Sequence, residues 1–210
     1  MLFWIAVLAT LAAPAQAHRL DEYLQASLIS LEPDTVRVEL NLTPGVAVLA
    51  SVVALIDLDR DGSFSPAEQQ AYANRVLGDV SLKVDRLPRV LTVTSAQFPP
   101  IEQMQAGLGT IRMVLRARFE ALQPGPHVVY FENRHQPDIG VFLANALVPR
   151  ESISIARQSR DYKQTAISID YSVSEFATTR YADSRVLFAA FLCTAALCGF
   201  FVQWRGRRNA

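Results

Sequence analysis

The feature that most constrains the fold is a twelve-residue segment, positions 57–68, which runs Asp-Leu-Asp-Arg-Asp-Gly-Ser-Phe-Ser-Pro-Ala-Glu. Asp57, Asp59 and Asp61 occupy alternate positions, and Gly62 follows at a point where only a residue without a Cβ turns sharply without strain. A hard cation takes about six to eight oxygen ligands, and this spacing supplies carboxylates in the order that a cation-binding loop requires. The segment therefore predicts a helix-loop-helix built around a metal ion.

Three more residues complete the predicted ligand set. Ser63 offers its backbone carbonyl at loop position 7, Ser65 reaches the ion through water at position 9, and Glu68 supplies two oxygens at position 12. This is the EF-hand pattern, and it predicts that Ca²⁺ is the bound ion. The predicted ligands are Asp57, Asp59, Asp61, Ser63, Ser65 and Glu68. The alternative is an Asp/Gly-rich turn that binds no ion.

The helix that enters the loop is predicted from an apolar run, Val46 to Ile56. Thr43 and Pro44 precede this run as an expected N-cap and first helical residue. Because the run is apolar nearly all round, we expect the helix to be buried against the rest of the domain.

The helix that leaves the loop is predicted from Ser65-Pro66-Ala67-Glu68, which forms a capping box with Ser65 as N-cap and Glu68 as N3. It should end near Leu77, with Gly78 in a left-handed terminating conformation. No second loop repeats the Asp spacing, so Phe64, at loop position 8, must pack on the rest of the domain or on another molecule.

The N-terminus has the pattern of a secretory signal peptide, residues 1–17. An apolar stretch, Leu2 to Ala13, precedes the small-x-small sequence Ala15-Gln16-Ala17, which predicts cleavage after Ala17. The alternative, an uncleaved anchor helix, is disfavoured because the stretch is too short to cross a bilayer.

A second apolar run near the C-terminus predicts a transmembrane helix at 186–204. Val186 to Val202 carries no charge, and Arg205, Arg207 and Arg208 follow Trp204, which places the tail 205–210 in the cytoplasm. The alternatives are a buried core helix and a processed sorting tail.

The exported part carries 17 basic and 20 acidic residues, a net charge of −3, which does not indicate a nucleic-acid surface. Both cysteines, Cys193 and Cys198, lie in the predicted span, so no disulfide is expected outside it.

The body of the exported domain, 18–173, alternates apolar and polar residues with period two, which is typical of β-strands. The predicted strands are 24–31, 36–42, 80–84, 90–94, 111–117, 128–131, 153–156 and 167–173. We therefore predict an α+β, mainly β fold: an antiparallel β-sandwich with the EF-hand, 44–78, inserted between the second and third strands. Residues 174–185 lose the alternation and are expected to form a tether.

Several segments resemble a family of exported bacterial domains. They are His18-Arg-Leu-Asp-Glu-Tyr-Leu-Gln-Ala26, Leu42-Thr-Pro-Gly-Val46, the Asp-rich loop, Gly107-Leu-Gly-Thr-Ile111 and Asn145-Ala-Leu-Val-Pro149. The likeness covers roughly 18–173. In some members such a domain precedes a polytopic permease similar to the nickel/cobalt efflux family, so the resemblance implies an extracytoplasmic module that works beside a membrane protein. We accordingly expect a periplasmic domain on a single-pass inner-membrane anchor.

Few residues indicate chemistry beyond the loop. The chain has no Gly-x-Ser-x-Gly, no His-Glu-x-x-His and no phosphate loop, so no enzyme is predicted. His18 becomes the first residue after cleavage, where its amine and imidazole can chelate Cu²⁺ or Ni²⁺, with His127 or His135 as a second ligand. The alternative is that His18 merely follows the cleavage site.

Three functions are compatible with these features. The first is a membrane-tethered calcium-binding module with a structural or protein-interaction role. The second is a periplasmic Ni/Co/Cu-handling accessory of a metal permease, which His18 and the family resemblance favour. The third is a periplasmic enzyme, which no motif favours.

Overall fold

The computed structural model describes residues 21–147 and 152–175, and within them the chain is mainly β. The elements are β1 Tyr23–Glu32, β2 Thr35–Pro44, α1 Val46–Ile56, α2 Pro66–Gly78, β3 Val80–Val84, β4 Leu87–Pro88, β5 Thr92–Gln97, α3 Ile101–Gln105, β6 Ile111–Arg118, β7 Gly125–Asn133, β8 Gly140–Ala146, β9 Ile153–Arg160 and β10 Ala166–Val173. The strands form two five-stranded sheets. The first has the order β5-β6-β2-β1-β8, and the second has the order β4-β3-β7-β10-β9.

The two sheets bury their inner faces in one hydrophobic cluster. Alternate residues of each strand point inward, so Leu40 and Leu115 of the first sheet are fully buried, as are Phe131 and Ile169 of the second. This shared core agrees with a mainly β, two-sheet fold, as the period-two pattern predicts.

The first sheet is not wholly antiparallel, which corrects the prediction of an antiparallel sandwich. β8 pairs with β1 in parallel, with Tyr23 opposite Gly140 and Ile29 opposite Ala146. The reason is where β8 starts: the Tyr23 N–H donates to the Ile139 carbonyl at 2.8 Å, which fixes the residues before β8 beside the start of β1. Two neighbouring strands that start at the same end must run in the same direction.

The predicted start of α1 is also wrong. Pro44 is the last residue of β2, where it lies opposite Tyr23, and the N-cap of α1 is Gly45, which has no side-chain cap. Strand pairing continues past Thr43 because the Gly45 N–H donates to the Glu22 carbonyl at 2.8 Å. Tertiary pairing with β1 therefore takes precedence over the local capping signal.

α1 is apolar nearly all round and was expected to be buried against the domain, but it is buried on one side only. Leu49, Val52 and Ile56 face the core, whereas Val46 is 49% exposed and Ala50 is also exposed. The buried side packs on α2, α3 and β2, and the opposite side has no described element over it.

Gly78 does not terminate α2 in the left-handed conformation that the sequence suggested. It has no positive φ, and the C-cap Asp79 is right-handed, with its N–H bonded to the Val76 carbonyl at 3.1 Å. The helix runs directly into β3, so the reversal that a left-handed glycine provides is not needed.

Replacing Gly78 by Ala tests this correction. A Cβ at Gly78 would meet no heavy atom within 4 Å, and its backbone is helical. We therefore expect Gly78→Ala to raise the free energy of unfolding by about 0.4–1 kcal/mol, mainly through the lower entropy of the unfolded chain. Urea unfolding of both proteins measures the change. A loss of stability would instead support a left-handed Gly78.

The helical insertion lies at one end of the sheets. α1 leaves β2 at Pro44, and α2 returns at Asp79, whose carbonyl accepts from Arg134 N–H at 2.9 Å just beyond β7. β10 starts at this same end, because Ala166 pairs with Glu132, and finishes at the other end, where Val173 pairs with Gly125. The chain therefore leaves β10 at the end of the domain opposite the insertion.

Within the described ranges, no helix combines the length and the apolar character needed to cross a membrane. The predicted signal peptide 1–17, the span 186–204, the tail 205–210 and most of the tether 174–185 fall outside those ranges.

Candidate metal-binding loop

The loop at 57–68 is held by a helix on each side. α1 ends at the fully buried Ile56, and the next residue, Asp57, is also buried. α2 begins at Pro66 with Ser65 as its N-cap, and the reciprocal capping box with Glu68 is present, as predicted. Both ends of the loop are thus fixed by elements of the domain.

Three aspartates converge in the loop. One carboxylate oxygen from each of Asp57, Asp59 and Asp61 lies within 4.8 Å of the others. Asp57 is buried, whereas Asp59 and Asp61 are exposed. This cluster can hold a metal ion, and its donors are all carboxylate oxygens.

Backbone N–H groups inside the loop orient these carboxylates. Asp57 accepts from the Asp61 N–H at 3.2 Å and from the Gly62 N–H at 3.1 Å, and Asp61 accepts from the Ser63 N–H at 2.8 Å. Gly62 has a φ of 82°, which the sequence anticipated, and Arg60 has a φ of 63°. The loop therefore turns at two left-handed residues, of which the non-glycine Arg60 is the strained one.

Glu68 is not part of the aspartate cluster. Its Oε1 accepts from the Leu58 N–H at 2.6 Å, and its Oε2 accepts from the Ser65 N–H at 2.9 Å and the Ser65 hydroxyl at 2.7 Å. The side chain closes the loop by linking its first turn to the start of α2. In this arrangement Oε2 serves the capping box and Oε1 accepts from the first turn of the loop.

The ionisation of the loop follows from these contacts. Ser65, through its hydroxyl and then its N–H, outweighs burial and lowers the pKa of Glu68, so that its carboxylate is charged at neutral pH. The pKa of Asp59 is raised. A hydrogen bond from Asp61 N–H is the largest single influence on this pKa and acts to lower it, but partial desolvation, the charges of Asp61 and Glu68 and the side-chain hydrogen bond with Asp57 together outweigh that bond. Repulsion from the charges of Asp61 and Glu68 is thus one of several contributions to the raised pKa of Asp59.

Phe64 at loop position 8 packs on the domain itself. Its ring lies edge-on to Phe98 at 6.1 Å, and Phe98 makes a similar contact with Tyr72 of α2 at 6.0 Å. Of the two options that the sequence left open, packing within the chain is the one adopted. Among the described residues, the loop is the only cluster of three or more potential His, Cys, Asp or Glu ligands.

The histidines do not form a second metal site in the part of the chain that the structure describes. His18 lies outside it. His127 uses both ring nitrogens, each 2.7 Å from an oxygen of Asp85 or Gln123. His135 is fully buried, with its ring nitrogens bonded to Tyr72 and Asp79. The prediction that His18 binds Cu²⁺ or Ni²⁺, with His127 or His135 as a second ligand, stays a prediction, and in this structure both candidate imidazoles make hydrogen bonds within the domain.

The sequence pattern did not predict a buried cluster of polar side chains that lies beside α2. Its members are all at most 1% exposed: Tyr23, Gln25, Tyr72, Asn133 and His135. One signal was available, because Gln25 falls on the inward-facing register of β1 between Tyr23 and Ser27. The positions of Asn133 and His135, more than a hundred residues later, follow no local pattern.

Comparison of the chain with protein-family models, with curated proteins and with solved structures gives no match.

Proposed function

We propose that this protein is a calcium-binding module of the exported, membrane-tethered type, in which the ion stabilises the helical insertion and the domain serves a structural or protein-interaction role. The convergence of Asp57, Asp59 and Asp61 within 4.8 Å carries the proposal, because it occurs in a helix-loop-helix with the ligand order of an EF-hand.

The donor set favours a hard cation. Every potential ligand in the cluster is oxygen, which suits calcium or magnesium, whereas copper and zinc prefer imidazole and thiolate. Calcium tolerates irregular coordination better than magnesium, which demands near-octahedral geometry. For Glu68 to serve as the twelfth-position ligand, its oxygens must exchange the hydrogen bonds from Leu58 and Ser65 for the ion.

Different residues of the loop supply charge, fix the helix ends and pack on the domain. The aspartates bring negative charge to the end of α1, and Ser65 and Glu68 fix the start of α2. A bound divalent cation supplies the positive charge that offsets the repulsion among these carboxylates. Phe64 and Phe98 secure the middle of the loop to the domain by apolar contact.

The location and partners are further parts of the proposal. The signal-peptide pattern at 1–17 and the apolar run with basic tail at 186–210 support a periplasmic domain on a single-pass inner-membrane anchor. The family resemblance supports a polytopic membrane protein as a partner. The competing role in Ni/Co/Cu handling is less well supported, because the imidazoles of His127 and His135 are engaged elsewhere.

Calorimetric titration of the full-length protein in detergent tests calcium binding. We expect one site for calcium, weaker binding of magnesium, and loss of most of the calcium affinity in Glu68→Gln, because a two-oxygen ligand becomes a neutral amide. Glu120→Gln, in the exposed loop after β6, is the matched control and should bind like wild type. Equal calcium affinity in Glu68→Gln and wild type, or no calcium binding at all, would refute the proposal.

A further inference from the structure

A chain of hydrogen bonds links α2 to the two sheets. The Tyr23 hydroxyl lies 2.7 Å from the Tyr72 hydroxyl, which lies 2.9 Å from Nε2 of His135. Nδ1 of His135 lies 2.7 Å from Oδ2 of Asp79, the C-cap of α2. Four side chains from β1, α2 and the segment after β7 thus form one continuous path.

Two amides hold His135 in this path. Gln25 donates through Nε2 to the His135 carbonyl at 2.7 Å, and the His135 N–H donates to the Asn133 side-chain oxygen at 2.9 Å. Asn133 in turn donates through Nδ2 to Oε1 of Gln25 at 3.0 Å. Gln25 belongs to the first sheet and Asn133 to the second, so His135 is clamped where both sheets meet α2.

The neutral imidazole satisfies every group in the chain. Asp79 as a carboxylate only accepts, so the hydrogen of His135 lies on Nδ1 and Nε2 is an acceptor. Tyr72 then donates to Nε2, and Tyr23 donates to the Tyr72 oxygen. All the hydrogens point one way, from Tyr23 towards Asp79.

A proton on Nε2 reverses that order. The imidazolium donates to the Tyr72 oxygen, so the hydrogen of Tyr72 can no longer bond to His135. The two hydroxyls then share a single hydrogen bond, and among the described residues neither has another acceptor, so one hydroxyl hydrogen of Tyr23 or Tyr72 is left unpaired. Both side chains are at most 1% exposed, and a buried donor without an acceptor destabilises the folded state.

The charged groups around His135 do not stabilise the imidazolium enough to offset its burial. Burial is the largest influence and lowers the pKa of His135; the Asp79 carboxylate raises it and the Arg75 charge on α2 lowers it, with a net fall from the ordinary value of 6.5. Tyr23 and Tyr72 stay protonated, because burial raises the pKa of both phenols, that of Tyr72 to about 12.

We propose that Tyr23, Tyr72, His135 and Asp79 form an acid-sensitive latch, which fastens α2 to both sheets while His135 is neutral and releases it when His135 takes up a proton. None of the four side chains belongs to the loop 57–68, so the latch needs no ion for its own hydrogen bonds. The direction of the pH effect follows from linkage. As pH falls below about 6.5, His135 takes up a proton more readily in the unfolded chain than in the folded one, so the free energy of unfolding decreases.

Thermal unfolding of the full-length protein in calcium-free buffer at about pH 7.5 and about pH 5 tests the latch. We expect the melting temperature of wild type to fall by several degrees on acidification, and most of that fall to be absent in His135→Gln, which keeps an acceptor for Tyr72 but cannot take up a proton. His127→Gln is the matched control, because His127 contacts Asp85 and Gln123 instead, and should retain the fall. An equal acid-induced fall in His135→Gln and wild type would overturn the proposal.

A second measurement needs no variant and decides the matter if His135→Gln fails to fold. Nitrogen NMR of the wild-type imidazoles should show His135 with its hydrogen on Nδ1 at neutral pH and still neutral when pH is brought below 6.5. A His135 ring with its hydrogen on Nε2, or one that is protonated above that value, would rule out the latch.

Discussion

Removal of calcium is expected to lower the melting temperature of the domain by about 5–10 °C while leaving its fold intact. Without the ion, three carboxylates within 4.8 Å of one another repel, and this repulsion opposes the folded loop. If Kd lies about a hundredfold below the calcium concentration, binding adds roughly 2.7 kcal/mol to the free energy of unfolding by mass action.

Scanning calorimetry of the full-length protein with calcium and with chelator measures this shift. Glu68→Gln is the internal control, because a protein that no longer binds the ion should melt at the same temperature in both buffers. An unchanged wild-type melting temperature would show that the loop contributes nothing to stability. A large calcium-dependent exposure of apolar surface, detected by dye binding, would show that the insertion opens and is not a static clasp.

Replacing Gln25 by Met is expected to lower the free energy of unfolding by about 2–5 kcal/mol. Methionine matches the length of glutamine, but it leaves Nδ2 of Asn133 without an acceptor and the His135 carbonyl without a donor. Both groups belong to fully or almost fully buried residues, so water cannot replace the lost bonds without opening the core.

Urea unfolding of Gln25→Met and wild type measures the loss. Gln103→Met is the matched control, because Gln103 is exposed on α3 and should tolerate the same chemical change with little effect. If Gln25→Met lowers the free energy of unfolding as little as the control does, the buried amides contribute little to the packing of the two sheets.

The parts of the fold that the sequence predicted are those determined locally. The end of α1 at Ile56 and the strand bounds Val80–Val84 agree with prediction, because apolar runs and alternation reflect nearby residues, whereas the predicted start of α1 at Pro44 does not. The Ser65 capping box was predicted correctly for the same reason. The alternation of 167–173 also matches β10 within one residue.

The parts that prediction missed depend on distant residues. β8 escaped notice because its parallel partner, β1, lies more than a hundred residues earlier, and its sequence shows no strong alternation. Strand ends were placed too early at Phe131 and Ala156, whereas β7 and β9 continue because β10 lies between them and pairs with both. The partners of Glu68 were likewise hidden, since the ligand pattern does not show that its oxygens bind Leu58 and Ser65.

The helical insertion and the end of β10 lie at opposite ends of the domain, and this placement determines which end would face a membrane. At about 3.3 Å per residue, the eight residues of β10 separate these ends by roughly 25 Å. If 186–204 crosses the bilayer, the Asp-rich loop lies at the end of the domain farther from the membrane attachment, and the ten residues 176–185 between the domain and the span reach at most about 35 Å. A soluble partner can then contact the loop directly, whereas a protein in the same membrane can contact it only if the domain reorients relative to the bilayer.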